Sequence, residues 1–195
     1  MTLLYINACV RKASRTKELA DYLVSKTKLP VTELNLAKLK LQPLDEATLE
    51  QRNALIAGGN FENPMFDYAK MFATADEIVI GAPFWDLSFP ANLKVFIEHI
   101  DVLKIVFDYS EKGEVVPLCK AKKLYYVTTA GGYIAFDQFG YGYVKALAEN
   151  FYEIPVVKQI KAEALDIVGA DVEAIIEYAY REIDHMIQEE RGLSC

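Results

Sequence analysis

The sequence predicts a three-layer α/β sandwich, with five parallel strands in the order 2-1-3-4-5 and helices on both faces. Two observations carry this. Short strand-like runs alternate with helix-period runs along the chain, the pattern of a parallel sheet covered on both sides. The inner strand candidates, around Ile78-Val79-Ile80 and over residues 124–129, are almost wholly apolar, as doubly covered strands are.

Each element has its own signal. Residues 3–8 form the first strand. Ser14 then caps a helix whose Leu19, Ala20, Leu23 and Val24 recur at helical spacing. Pro30 ends it, and residues 31–36 alternate as the second strand. Asp45 caps a helix over 46–57, Gly58 and Gly59 break it, and a further helix covers 64–75. Residues 77–82 are the third strand, followed by a helix over 91–100 that Pro90 opens. Residues 124–129 are the fourth strand, 143–151 a helix, 156–162 the fifth strand and 172–188 a closing amphipathic helix. Residues 102–120 are long for a plain connection and carry Gly113 near their centre. They read as a hairpin-like or irregular flap over the crevice. With right-handed crossovers this is the flavodoxin-like order, in which the first and third strands adjoin and a crevice opens at their carboxyl ends.

Bulk composition narrows the function. The chain has 195 residues, enough for one domain over residues 1–195 with a real core. Its net charge of −7 disfavours nucleic acid as a partner, since a phosphate backbone needs a basic footprint. No apolar run approaches the ~20 residues of a membrane span. The start of the chain reads as a strand, not a signal peptide. Cys9, Cys119 and Cys195 are odd in number and far apart, so a reducing cytoplasm is expected and a disulfide framework is not. His99 and His185 have no metal-ligand spacing, so no metal is expected.

Three loops should meet at the crevice. After the first strand, Arg11, Lys12 and Arg15 bring positive charge to a helix start where Ser14 and Thr16 add hydroxyls. Free N–H groups and the positive dipole end make such a start a phosphate site. The sequence lacks the glycine patterns of ATP-binding P-loops and Rossmann dinucleotide sites here. After the third strand, Pro83, Phe84, Trp85, Asp86 and Leu87 form a stiff aromatic loop, expected to offer free backbone N–H groups from 84 to 87 to a planar ligand. After the fourth strand, Thr129, Ala130, Gly131, Gly132 and Tyr133 allow close backbone approach. Phosphate at one end and a planar ring at the other is the shape of flavin mononucleotide (FMN).

At these residues the chain resembles the FMN-dependent NAD(P)H:quinone oxidoreductase and azoreductase family. The most specific motif is Ala-Pro-x6-Pro-x2-Leu-Lys, running from Ala82 to Lys94. The resemblance puts the family's ring-binding motif on Phe84, Trp85, Asp86 and Leu87. Its Ser-Arg-Gly-Gly-like loop falls on Thr129, Ala130, Gly131 and Gly132, and its Ser-x-Ser phosphate motif on Ser14, Arg15 and Thr16. An aromatic-Gly flap resembles residues 107–117. This chain departs from the pattern at Asp86, where Asn is frequent, at Ala130, where Arg is frequent, and at Ala8, near a family serine.

The resemblance implies bound FMN, NADH or NADPH as electron donor, and a small-molecule acceptor: a quinone, azo compound or nitroaromatic. No residue is nominated as catalytic acid or base. Glu98 and Asp101 are expected on a solvated helix face. The resemblance also implies a homodimer, to which Phe61, Met65, Phe66 and Ile105-Val106-Phe107 would lend apolar surface. The alternative reading is a flavodoxin-type electron carrier, disfavoured because the first loop lacks that group's Thr/Ser-Gly-rich phosphate signature. A flavin-free binding protein on the same fold is a third.

Overall fold

β1 (Leu3–Asn7) is buried at every residue, because helices cover both of its faces. The computed structural model describes residues 1–192. A loop leads from β1 to α1 (Arg15–Thr27), which Ser14 caps by accepting the Lys17 N–H at 3.2 Å. β2 (Val31–Asn35) is an edge strand and buries only Leu34. A short α2 (Leu36–Leu39) precedes α3 (Glu46–Ala57), capped by Asp45 accepting the Thr48 N–H at 2.8 Å. The helix expected over 64–75 is split. Asn63 accepts the Met65 N–H at 3.0 Å and starts a 3₁₀ turn at Pro64–Phe66, and α4 (Asp67–Thr74) begins only after it. β3 (Glu77–Gly81) is again wholly buried, and α5 (Ala91–Ile100) follows the aromatic loop. β4 (Phe107–Tyr109) and β5 (Val115–Pro117) pair antiparallel, with Gly113 at φ 80° between them. β6 (Lys123–Thr129), α6 (Tyr141–Asn150), β7 (Val156–Ala162) and α7 (Val172–Gly192) complete the chain.

The main sheet is parallel throughout, in the order β2-β1-β3-β6-β7. Setting the β4–β5 hairpin aside, this is the expected 2-1-3-4-5. Successive strand residues point to opposite faces and build two cores. Leu4, Ile6, Ile78, Ile80 and Leu124 meet Phe66, Phe72 and Phe96 on one face. Leu3, Tyr5, Val79 and Val127 meet Leu19 and Leu23 of α1 and Ile183 of α7 on the other. No helix of the described residues is long and apolar enough to cross a membrane. Cys9 and Cys119 are free thiols, and Cys195 lies outside the described residues.

Three expectations need correction. Residues 102–120 do contain a hairpin, but its base sits at the amino-terminal edge of the sheet, away from the crevice. Lys120 N–H bonds Ala73 O at 2.9 Å, Lys122 N–H bonds Asp76 O at 2.9 Å, and Phe107 packs on Phe151 with ring centroids 5.2 Å apart. The cause is the crossover itself: α5 starts at the carboxyl edge and runs back, so the hairpin after it lies at the other end. Second, the apolar residues expected at a dimer surface serve the chain's own core. Phe66, Val106 and Phe107 are buried, and Phe61, Met65 and Ile105 pack against them. Third, Asp101 is not on a solvated face. It ends α5 and accepts the Tyr152 hydroxyl at 2.5 Å, and burial raises its carboxyl pKa.

This same amino-terminal edge of the sheet carries a charge cluster. Lys123 Nζ lies 3.5 Å from Glu77 and 2.6 Å from Glu190, and Tyr125 Oη donates to Glu190 at 2.6 Å. Burial raises the Glu77 pKa. Burial also acts to raise that of Glu190, but Lys123, Tyr125 and Lys158 together hold it below the usual value. Lys123→Gln leaves the buried Glu77 carboxylate uncompensated, a loss of about 2–3 kcal/mol at pH 7. Because the Glu77 pKa then rises further, the deficit shrinks as pH falls from 7 toward 5 and Glu77 takes up a proton. Urea denaturation of both proteins at the two pH values measures this; a deficit independent of pH contradicts it.

Candidate active site

Four strands of the sheet end side by side, and each departing loop carries different chemistry. After β1, the N–H groups of Arg15 and Thr16 occupy the first helical positions of α1 and have no intrahelical acceptor. Thr16 is 1% exposed, and its Oγ1 lies 2.6 Å from Thr129 Oγ1, which ties this loop to the one after β6. Arg11 is exposed at the rim, without an ion-pair partner among the described residues. Arg15 reaches across to the loop after β7, with Nη1 3.2 Å from Leu165 O and Nη2 3.0 Å from Asp166 Oδ1.

After β3 the chain makes a tight reversal. Trp85 and Ser88 exchange both backbone hydrogen bonds, at 2.9 and 2.8 Å. The two residues between them, Asp86 and Leu87, have φ of 49° and 67°. This is a type I′ geometry, which favours Asn, Asp or Gly first and Gly second. Asp86 therefore suits its position, whereas Leu87 is strained. The reversal corrects one expectation. The N–H groups of Phe84 and Trp85 are taken by Thr129 O and Ser88 O, leaving those of Asp86 and Leu87 at the turn tip. Ser88 Oγ donates to Phe139 O at 2.6 Å and fixes the turn against the 3₁₀ segment Asp137–Phe139.

After β6 the N–H of Ala130 bonds Ala162 O at 3.0 Å, while those of Gly131 and Gly132 make no hydrogen bond within the described residues. Three further bonds stitch this loop to the one after β7: Ala164 N–H to Gly132 O at 2.9 Å, Leu165 N–H to Ala130 O at 3.1 Å, and Asp166 N–H to Gly131 O at 2.9 Å. The carboxylate of Asp166 lies over Gly131, where a Cβ would stand 2.4 Å from Oδ2. Residue 131 must therefore be glycine while Asp166 holds this place.

Together these loops enclose a cavity of about 310 Å³. Arg11, Ser14, Arg15 and Thr16 line it from the loop after β1 and the start of α1. Pro83, Phe84 and Trp85 line a second wall, and Thr129, Ala130 and Gly131 a third. Asp86, Leu87, Gly132 and Tyr133 do not line it; Tyr133 is 73% exposed. Lys12 lies outside this cavity. Val10 and Ala13 of the first loop also line it without having been expected, as do Leu165 and Asp166 of the loop after β7. The signal was available, because the order 2-1-3-4-5 brings the loop after the fifth strand to the same edge, and its Asp faces a basic loop. A larger concavity of about 630 Å³ runs along β7 and α7, but no loop from β1 or β3 reaches it. Its width comes from the open sheet edge, not from converging chemistry.

Ala164 sits at φ 67°, a conformation that costs a Cβ-bearing residue about 1 kcal/mol. Ala164→Gly is expected to raise unfolding free energy by about 1 kcal/mol in urea melts, less the glycine's extra unfolded-state entropy. A clear loss of stability would mean that the loop is held differently.

The comparisons agree with this architecture. The flavodoxin-like fold family model matches residues 1–187. An FMN-dependent NADH:quinone oxidoreductase 2 of Clostridium acetobutylicum is 36% identical over 186 residues, covering 89% of this chain and 92% of that protein. An FMN-dependent NADH:quinone oxidoreductase of Coprothermobacter proteolyticus is 30% identical over 198 residues, covering 96% and 98%. Among solved structures, an azoreductase from Bacillus anthracis superposes with a TM-score of 0.82 at 20% identity, over 96% of this chain and 99% of that one. A B. anthracis FMN-dependent NADH-azoreductase in complex with FMN gives 0.79 at 19% identity, over 96% and 98%. At such identities the structures speak for the fold, and the sequence relatives for the lineage. With four loops of one parallel sheet converging as they do, the chain belongs to the flavodoxin-like family that includes the FMN-dependent NADH:quinone oxidoreductases.

Proposed function

We propose that the cavity binds FMN and that the protein is an FMN-dependent NADH:quinone oxidoreductase, with quinones or azo compounds as acceptors. One observation carries the reading. The unpaired N–H groups at the start of α1, with Arg11 and Arg15 beside them, border a cavity that Trp85 and the backbone at Gly131 also line. That donor set fits a phosphate at one end and a flat ring at the other.

Each group has a definite task. The α1 terminus and the two arginines neutralise phosphate charge. The Gly131 N–H, which lines the cavity, offers a hydrogen bond to a polar atom at a ring edge, while those of Gly132, Asp86 and Leu87 lie outside the lining. Pro83, Phe84 and Trp85 keep water from one side of it. When bound, FMN supplies the redox chemistry, accepting a hydride equivalent from a donor and passing it to an acceptor. The protein's part is orientation and electrostatics, and no side chain is assigned a proton-transfer role. The relatives' names point to NADH as donor and favour an enzyme over an electron carrier.

We also propose a homodimer in the cytoplasm. Trp85, Leu87, Tyr133, Phe136 and Phe139 remain exposed on the loops around the cavity, an apolar rim that a second copy would cover. The free Cys9 and Cys119 thiols suit a reducing compartment. Elution as a monomer at micromolar concentration contradicts the dimer.

Titration of the protein with FMN, followed by quenching of flavin fluorescence, tests the site. Binding is expected to saturate and to weaken with added salt. Arg15→Gln should weaken it about tenfold, the loss of one charge-assisted contact. Asp86→Asn should keep FMN affinity within about threefold, since both residues accept the turn's backbone. The FMN-loaded protein should then oxidise NADH in a quinone-dependent manner. A protein that takes up no FMN contradicts the proposal.

A further inference from the structure

Close to the aromatic wall, but outside the cavity lining, three buried polar atoms lie together without partners. Alternate residues of a strand share a face, and Tyr126 and Thr128 of β6 each carry a hydroxyl into the interior, both residues being 1% exposed. Neither Tyr126 Oη nor Thr128 Oγ1 makes a hydrogen bond among the described residues. Nor does Asp137 Oδ1, which is also shut off from solvent. The three groups act on one another. Burial pushes the Tyr126 phenol pKa up, the Asp137 charge adds to the rise, and the Thr128 hydroxyl works against it. A buried tyrosine hydroxyl ordinarily finds an acceptor, and an unpaired buried carboxylate oxygen is less favourable still. Two hydroxyl donors and one anionic acceptor are therefore a matched set that stands just short of bonding.

Asp137 opens the 3₁₀ segment Asp137–Phe139, and that segment is tied to the cavity wall at two points. Phe139 O accepts the Ser88 hydroxyl at 2.6 Å. Gly140, whose N–H bonds Asp137 O at 3.1 Å, faces the Phe84 ring, which a Cβ there would meet at 3.6 Å. A shift of Asp137 is thus carried both to Phe84 and to the Trp85–Ser88 turn. We propose that Asp137 is a positioning residue for the aromatic wall: its carboxylate accepts hydrogen bonds from the Tyr126 and Thr128 hydroxyls as the segment settles, and through Phe139 and Ser88 this latch sets where Trp85 stands. The inference rests on the FMN reading for its consequence alone, because Trp85 walls the place proposed for the ring. The latch itself is a property of the chain without any ligand. None of its three groups lines the cavity, so each acts through the wall.

The chain has a single tryptophan, so the wall can be observed directly. Acrylamide quenching of Trp85 fluorescence is measured for the wild type, Ser88→Ala, Asp137→Asn, Tyr126→Phe and the Ser88→Ala/Asp137→Asn pair, each shown to be folded by a cooperative urea transition. Tyr126→Phe removes one hydroxyl and keeps the ring, so it tests the latch even where Asp137→Asn fails to fold. The latch predicts stronger quenching than wild type in all three single variants. It predicts no further increase in the pair, because both changes cut one path. Fluorescence titration should show FMN affinity lowered about threefold in the same variants, a partial loss of one hydrogen bond's effect. Groups that served stability alone would lower the urea midpoints and leave quenching of the folded proteins at the wild-type value. That result overturns the proposal, as does an additive pair. If the quenching pattern holds while the wild type takes up no FMN, the latch stands and the flavin reading falls.

Discussion

Backbone hydrogen bonds that continue past the strands hold this site in shape. Ala8 N–H bonds Gly81 O at 2.9 Å, Ala82 N–H bonds Val127 O at 2.9 Å, Phe84 N–H bonds Thr129 O at 3.0 Å, and Ala130 N–H bonds Ala162 O at 3.0 Å. The parallel ladder thus runs on into the loops, from β1 through β3 and β6 to β7. Each loop leaves the sheet at a place set by its neighbour and not by its own sequence. The buried Thr16–Thr129 contact closes the arrangement from the α1 side. Such a site stands on the sheet itself, so its geometry inherits the stiffness of the core beneath it.

That stiffness allows strain where the chemistry is. Asp86, Leu87 and Ala164 all have positive φ without being glycine, and all three lie in loops that shape the cavity or its rim. A free loop would relax Leu87 and Ala164 at a gain of about 1–2 kcal/mol each, while Asp86 tolerates its place. Here the Trp85–Ser88 bonds, and the three bonds joining residues 164–166 to 130–132, hold them. The benefit is local: the turn tip presents the Asp86 and Leu87 N–H groups, and Asp166 reaches Arg15.

How much of this was legible depended on the range of the interaction. Apolar runs and caps are local, so strands, helices and sheet order could be read from the pattern of residues, and the order alone brings the loops together. Backbone conformation in the aromatic loop was not legible, because Asp86-Leu87 lacks the Asn-Gly signature of a type I′ turn, and so the Phe84 and Trp85 N–H groups were wrongly expected to be free. Phe66 and Phe107 looked like surplus apolar surface because burial depends on neighbours far away in sequence. The direction of α5 already excludes a flap over the crevice for residues 102–120.

The central claim is that the converging loops at the carboxyl edge form the flavin site. A crystal structure of the protein soaked with FMN tests it most directly. The account predicts phosphate density at the start of α1, within reach of the Arg15 and Thr16 N–H groups, and ring density between Trp85 and Gly131. Flavin density in the groove along β7 and α7, with the loop cavity empty, would contradict it.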